Sequence, residues 1–193
     1  MKSIATIIAM IIVFTGYIPY FRDSLSGKTK PHVVSWFTWA LVSFLAFGVQ
    51  LLGGGGAGSL INFFIGLICA SLFIIGLKNG TKNVTQSDII ALILALVAIA
   101  FWLIVKEPLL SIILVAFIDL MSFYPTFRKS WGKPWSETLV TWEMNFVKNA
   151  ISIYALESLT LVTALYPTYS LISTGTFCLL LIIRRRSIPQ IGF

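Results

Sequence analysis

The stretch Tyr17-Ile18-Pro19-Tyr20-Phe21-Arg22-Asp23-Ser24 returns 106 residues later as Phe123-Tyr124-Pro125-Thr126-Phe127-Arg128-Lys129-Ser130. The same shift, without a gap, lays Ser35-Trp36 on Thr141-Trp142. It also lays Lys78 on Arg184, each just after a long apolar run. Each copy spans three apolar segments. Self-similarity at a fixed offset predicts that the two copies fold alike. In a hydrophobic chain it also predicts a pathway where the copies meet.

The chain is 58% hydrophobic and only 11% charged, against roughly 25% charged residues in a soluble domain. Its surface is therefore expected to face lipid. The net charge of +7 does not point to nucleic acid, because the cations sit at the ends of apolar runs rather than along one basic stripe. Cys69 and Cys178 fall inside apolar runs and read as small core residues. Lys2 followed by Ile4 to Phe14 resembles the start of a signal peptide. No small-x-small cleavage site follows, and the repeat needs this segment as the partner of residues 109–127, so it reads as a span. With one histidine there is no multi-histidine metal site. No activated serine, phosphate loop or dinucleotide fingerprint is present. Neither an enzyme nor a cofactor or metal is expected.

A bilayer core of about 30 Å needs about 20 apolar helical residues. Seven stretches qualify, some marginally: 4–22, 33–52, 58–77, 88–105, 108–127, 138–156 and 159–183. Helices are expected because backbone groups in lipid must pair within their own segment. The 88–105 run has no partner in the repeat and lies between the copies. One extra crossing would let two three-helix units stand the same way up. The expected fold is thus an all-α membrane protein of seven transmembrane helices. Residues 1–82 form one three-helix bundle, 83–106 a linker helix, 107–186 a second, parallel bundle, and 187–193 a tail. Charge tests the count. Arg22, Lys28, Lys30, Lys78, Lys82, Arg128, Lys129, Lys133, Arg184, Arg185 and Arg186 fall on one side of this arrangement, leaving Lys2, Lys106 and Lys148. The positive-inside rule then puts the N-terminus outside and the C-terminus in the cytoplasm, with a plasma or inner membrane as the default.

Several residues stand out within these spans. Pro19 and Pro125 occupy duplicated positions, each with an aromatic within the two residues before it and Phe-Arg starting two residues after, and read as a paired hinge rather than two static kinks. In the second span Trp36, Trp39, Ser43, Ala46 and Gln50 share one helical face; the shifted set in the sixth is Trp142, Asn145, Asn149, Ser152 and Leu156. Amides and hydroxyls on that face should point inward, either to bind an uncharged polar solute or to join helices. Trp36 and Trp142, near the span ends, read as interface anchors or pocket walls. Asn62 in the third span has Thr168, beside Pro167, as its repeat position. Asp119, Glu143 and Lys148 are charges inside apolar runs, where each costs at least about 2.5–3.5 kcal/mol and should face the interior, paired. Either acid could couple solute movement to protons, and a structural ion pair with Lys148 is the competing reading. His32 reads as a surface group at a loop boundary. Gly53-Gly54-Gly55-Gly56 reads as a tight connection or a mobile gate.

The Phe-Tyr-Pro-x-Phe block, followed by a basic loop and an aromatic and polar span, resembles a PQ-loop repeat. With the three-one-three order, the chain is similar to the SWEET and PQ-loop transporter superfamily. The glutamine that follows the family's proline is Tyr20 in the first copy and Thr126 in the second. The resemblance implies two parallel triple-helix bundles and a substrate such as a sugar, an amino acid or a related small solute. It also implies that Asn62 matches the pocket asparagine of the third helix, with Thr168 or a neighbour opposite. The expected function is a carrier of a small polar solute working by alternating access, facilitative rather than proton-coupled. Trp39, Ser43, Asn62, Asn145, Asn149 and Thr168 would bind the solute. The expected partners are that solute and membrane lipid; a homo-oligomer stays open. A receptor or sensor of the same fold, or a scaffold subunit, are the alternatives.

Overall fold

The computed structural model describes residues 2–80, 84–105 and 107–189, and for Ala91, Ala95, Ala98 and Trp102 the backbone alone. Lys82 and Lys106 of the charge pattern, and the last four residues of the expected tail, lie outside the described residues. The described residues form α1 (Lys2–Leu25), α2 (Val33–Leu52), α3 (Leu60–Asn79), α4 (Gln86–Val105), α5 (Pro108–Gly132), α6 (Leu139–Ala155) and α7 (Leu161–Ser187). Short 3-10 turns at Gly56–Ser59 and Pro134–Ser136 precede α3 and α6. No β-strand occurs among the described residues. All these helices except α6 are long and apolar enough to cross a membrane. The protein is an all-α membrane protein. The 17 residues of α6 extend only about 25 Å at 1.5 Å per residue, short of a bilayer core.

Local chemistry explains where the helices begin. Pro108 opens α5, where its missing N–H costs nothing. Thr160 caps α7 reciprocally with Thr163. Asp88 Oδ2 accepts the Thr85 amide at 2.8 Å, ahead of α4. Pro19 and Pro125 both lie inside unbroken helices, α1 and α5.

The helices close into a ring. α3 packs on both α1 and α2; α7 packs on both α5 and α6. α1 also packs on α6, and α2 on α5, while α4 packs outside, mainly on α5. Exchanging α1, α2, α3 with α5, α6, α7 maps these contacts onto themselves. Hydrogen bonds fix the directions. Lys2 Nζ donates to Leu156 O at 2.6 Å, and Thr141 Oγ1 to Gly16 O at 2.8 Å, so α1 and α6 run opposite ways. Thr126 Oγ1 donates to Ser35 Oγ at 3.1 Å, bringing the end of α5 to the start of α2. One end of the ring thus carries Lys2 and the start of α7, and the other carries Asp88. All the described basic residues except Lys2 and Lys148 lie at the Asp88 end.

The outer surface is apolar: Ile4, Ile18, Ile74, Ile90, Val97, Ile104 and Ile172 are exposed. The interior mixes aromatic packing with hydroxyls and amides. Such a ring needs close helix approach, and Gly16 supplies it. A Cβ at Gly16 would stand 2.7 Å from Met144 Cβ on α6, so a side chain there forces α1 and α6 apart. Gly56 has φ +58° and a Cβ there would meet the Glu157 carboxyl at 2.4 Å, which ties the tetraglycine turn to a fixed geometry against the α6–α7 loop.

His32, read from sequence as a surface group, is instead buried at the start of α2, where its Nε2 lies 3.4 Å from Asp88 Oδ2. Burial pushes the His32 imidazole below its ordinary value; the Asp88 carboxylate pulls the other way, Lys129 and Arg128 add to the lowering, and Glu137 opposes it. The imidazole is neutral at neutral pH, and the contact with Asp88 is not an ion pair. Asp88 is held instead by Arg128, whose Nη2 donates to both carboxylate oxygens at 3.3 and 3.0 Å.

Two outcomes follow from this packing. Gly16→Val should cost about 1–3 kcal/mol by overpacking, read as a lower apparent melting temperature of the detergent-solubilised protein. The folded form binds the His32 proton less well than the unfolded chain. Its contribution is therefore complete above the unfolded value of about 6.5 and is lost as pH falls through the lowered folded value. The apparent melting temperature should drop more between pH 7.5 and 5 in the wild type than in His32→Gln.

Candidate functional site

The two stripes read from the sequence are both buried inside the ring: Trp36, Trp39, Ser43, Ala46 and Gln50 on α2, and Trp142, Asn145, Asn149, Ser152 and Leu156 at α6. Between them lies a cavity of about 60 Å³. Its walls include Tyr17 and Phe123, Trp36 and Trp142, Trp39 and Asn145, and Ser43 and Asn149. Each of these pairs is related by the 106-residue shift. Asn62, Ile65 and Cys69 of α3, Asp119 of α5, Lys148 of α6 and Tyr166, Ser170 and Thr174 of α7 complete the lining.

Trp36 and Trp142 are cavity walls here, not interface anchors. Together with Trp39 and Phe123 they form one aromatic floor: Trp36 and Trp39 centroids are 5.1 Å apart, Trp39 and Phe123 5.0 Å, and Trp39 and Trp142 5.7 Å. This floor closes the cavity toward the Asp88 end. Below it, Glu137 gathers donors from several elements. Its Oε2 accepts Tyr20 OH at 3.1 Å and Trp142 Nε1 at 3.0 Å, and its Oε1 takes the Lys129 ammonium. Trp36 Nε1 donates to Tyr20 OH at 3.3 Å. On the far side of this layer, Arg22, Lys28, Trp135 and Arg185 border an open cleft of about 530 Å³.

Toward the Lys2 end a hydrogen-bonded bridge crosses between helices. Asn62 Nδ2 donates to Gln50 Oε1 at 2.6 Å, and Gln50 Nε2 to Thr163 O at 3.1 Å, joining α3, α2 and α7. Next to this bridge a void of about 10 Å³ shares Asn62, Lys148, Asn149 and Tyr166 with the central cavity, enough for about one water. The shared walls make a polar route from the centre toward the Lys2 end.

Within the cavity most polar groups are satisfied. Tyr17 OH donates to Asn145 Oδ1 at 3.3 Å, Asn145 Nδ2 to Thr141 O at 3.0 Å, and Asn149 Nδ2 to Thr174 Oγ1 at 3.3 Å. Lys148 donates to Asn149 Oδ1. Asp119 Oδ1 accepts Tyr166 OH at 3.2 Å. Asp119 Oδ2, Trp39 Nε1 and the Tyr169 hydroxyl are buried without a full hydrogen bond among the described residues, and the Tyr169 hydroxyl lies against the Asp119 carboxyl.

The structure thus brings Trp39, Ser43, Asn62, Asn145, Asn149 and Asp119 to one cavity and leaves two expected residues outside it. Thr168 is exposed. The α7 residues at the cavity are Tyr166, Ser170 and Thr174, spaced by one turn. Thr168 is two residues from Tyr166 and Ser170, about 200° around the helix, and points away. Glu143 is also exposed: its neighbours Trp142 and Asn145 take the inner face, so it lies off the cavity lining and makes no ion pair with Lys148. Pro125 is buried and Pro19 half-buried, both away from the cavity lining. Tyr166, Ser170 and Thr174 were missed, although their four-residue spacing was a usable signal. Glu137 carried no local signal, because a loop residue's inward turn is set by its tertiary neighbours.

No protein-family model matches this chain, and comparison with the curated proteins and with the solved structures gave no match. Among the described residues no group of histidine, cysteine and acidic side chains could hold a metal ion.

The layer around Glu137 makes a specific forecast. Glu137→Ala leaves the Lys129 ammonium with the Lys30 carbonyl alone and removes the acceptor of Tyr20 and Trp142, and should cost about 1–3 kcal/mol. Glu137→Gln keeps an acceptor oxygen and should cost less. Apparent melting temperatures of the two variants would show that order.

Proposed function

We propose that this protein is a membrane carrier that moves a small polar solute by alternating access. Two parallel three-helix units, α1–α3 and α5–α7, would be joined by α4 as the linker helix. The observation that carries this reading is the central cavity whose walls are drawn pairwise from matching positions of the two copies. A site at a repeat interface, built from both copies, is what a rocking mechanism requires. The ring contacts support it as well, since the exchange of the two units leaves them unchanged.

The closures at the two ends act as gates. The aromatic floor and the Glu137 layer are one gate; the Gln50–Asn62 bridge is the other. The basic Asp88 end is cytoplasmic, and the N-terminus lies outside. Pro19 and Pro125 lack one backbone bond each, so α1 and α5 bend there as the gates exchange. Facilitated movement is favoured over proton coupling, because only the second unit brings an acid to the cavity, Asp119 of α5. At about 60 Å³ the cavity is well below the roughly 300–1,000 Å³ of drug-sized ligand sites, which suits a solute of few atoms.

Counterflow in proteoliposomes tests this. A labelled small polar solute should accumulate in vesicles preloaded with the same unlabelled solute. Ser43→Phe, which fills the cavity, should cut that flux at least tenfold with the protein still folded by thermal melting. Saturable binding without flux would instead indicate a receptor of the same fold, a reading the open cleft beside Arg22 and Arg185 favours. Flux unchanged in Ser43→Phe would remove the cavity from the route.

A further inference from the structure

The carrier reading leaves the cleft at the Asp88 end without a task. Its volume of about 530 Å³ falls within the roughly 300–1,000 Å³ of small-molecule sites. Three cations line it: Arg22 of α1, Lys28 of the α1–α2 loop and Arg185 of α7. Two acids line it as well, Asp23 and Glu137. Both acids are already matched. Asp23 Oδ1 pairs with Arg22 at 3.0 Å, and its Oδ2 accepts Thr138 Oγ1 at 3.1 Å. The Glu137 carboxylate pairs with Lys129. The cleft thus keeps two positive charges, on Lys28 and Arg185, that make no ion pair among the described residues. Lys28 is exposed and makes no hydrogen bond among those residues either. Arg185 is held in place. It donates to Pro134 O at 3.3 Å and Glu137 O at 2.6 Å, and its guanidinium lies 4.7 Å from the centroid of the Trp135 ring. Trp135 is fixed in turn by its indole N–H, which donates to Ile188 O at 2.8 Å.

We propose that this cleft holds the headgroup of a phospholipid carrying two negative charges. Its phosphate oxygens accept from the Lys28 ammonium and the Arg185 guanidinium. The two positive charges left on the walls specify the charge of the occupant. The surroundings specify a lipid rather than a soluble anion. Trp131 and Trp135 lie at this end, with the guanidinium groups of Arg184 and Arg185 over their rings at 4.6 and 4.7 Å. Indoles and basic side chains gathered at one level sit at headgroup depth. Elsewhere the wall of the cleft is apolar. Val140 lines it and is 52% exposed, and Ile18, next to the lining residue Pro19, is 62% exposed. The cleft therefore opens where the hydrocarbon-facing surface of α1 and α6 ends. A headgroup seated there continues as acyl chains over Ile18 and Val140, which a free phosphate does not. A phosphatidylcholine headgroup brings a cation toward Lys28 and Arg185, and a singly charged headgroup leaves one of them unmatched.

The test uses the purified full chain in detergent. It is titrated with cardiolipin, phosphatidylglycerol or phosphatidylcholine, and separately with inorganic phosphate and glycerol 3-phosphate. Native mass spectrometry counts the bound lipid. Thermal melting reads the stabilisation, which rises with ligand concentration. Cardiolipin, with its two phosphates, should bind saturably and most tightly, phosphatidylglycerol less so, and phosphatidylcholine least. Lys28→Gln should weaken cardiolipin binding about fivefold, the worth of one basic side chain beside an anionic headgroup. Lys78→Gln removes the same charge from the same end of the ring but outside the cleft, and should weaken it by less than about twofold. Lys28 has no partner to lose, so its variant should melt like the wild type without anionic lipid. Equal losses in the two variants mean general surface attraction and overturn the site. Cardiolipin binding no tighter than phosphatidylcholine overturns it too. Inorganic phosphate or glycerol 3-phosphate binding as tightly as cardiolipin gives the cleft to a soluble anion and overturns the lipid. None of these readouts involves solute flux, so the carrier reading stands or falls separately.

Discussion

An acidic and a basic side chain held inside a ring of helices whose outside is hydrocarbon-like set the terms for this structure. Lipid cannot solvate Asp119, Lys148, Asn145, Asn149 or Gln50, so each must find its partner within the protein. That requirement turns the polar stripes of α2 and α6 inward and makes them face each other. The ring then has an apolar exterior and a polar centre, with the aromatic floor beneath that centre on the Asp88 side. The cavity is what remains where the two inward faces do not fill the space between them.

Much of this was legible in the sequence because lipid leaves few choices. A 106-residue repeat predicted corresponding contacts, and α2 with α5 does mirror α6 with α1. Three- and four-residue spacing placed Trp39, Ser43, Asn145 and Asn149 on inner faces because polar groups on an otherwise apolar helix have only one affordable direction. The same logic failed for α7. That helix carries polar residues around much of its circumference, among them Tyr166, Thr168, Tyr169, Ser170, Ser173 and Thr174, so the pattern alone does not fix its inner face. Glu143 failed for a different reason. It sits in the second turn of the short α6, close to the Asp88 end, and a flexible acid there reaches outward instead of turning in.

Loop residues were the least readable. Glu137 follows the Pro134–Ser136 turn, and His32 precedes α2. Both look like surface groups in a linear reading, and both are buried. Their positions depend on Tyr20, Lys129, Trp142, Asp88 and Arg128, which come from distant parts of the chain. Periodicity describes a helix face; it does not describe a junction where several helix ends converge.

That junction has a kinetic consequence. Glu137 ties together Tyr20 of α1, Lys129 of α5 and Trp142 of α6. If α1 alone drifted, Glu137 would still be anchored by the other two, and the drift would be reversed. The basic end therefore resists partial fraying and yields only when all three ties let go in one concerted event. Such an end gives way as a unit rather than by the separate loosening of one helix.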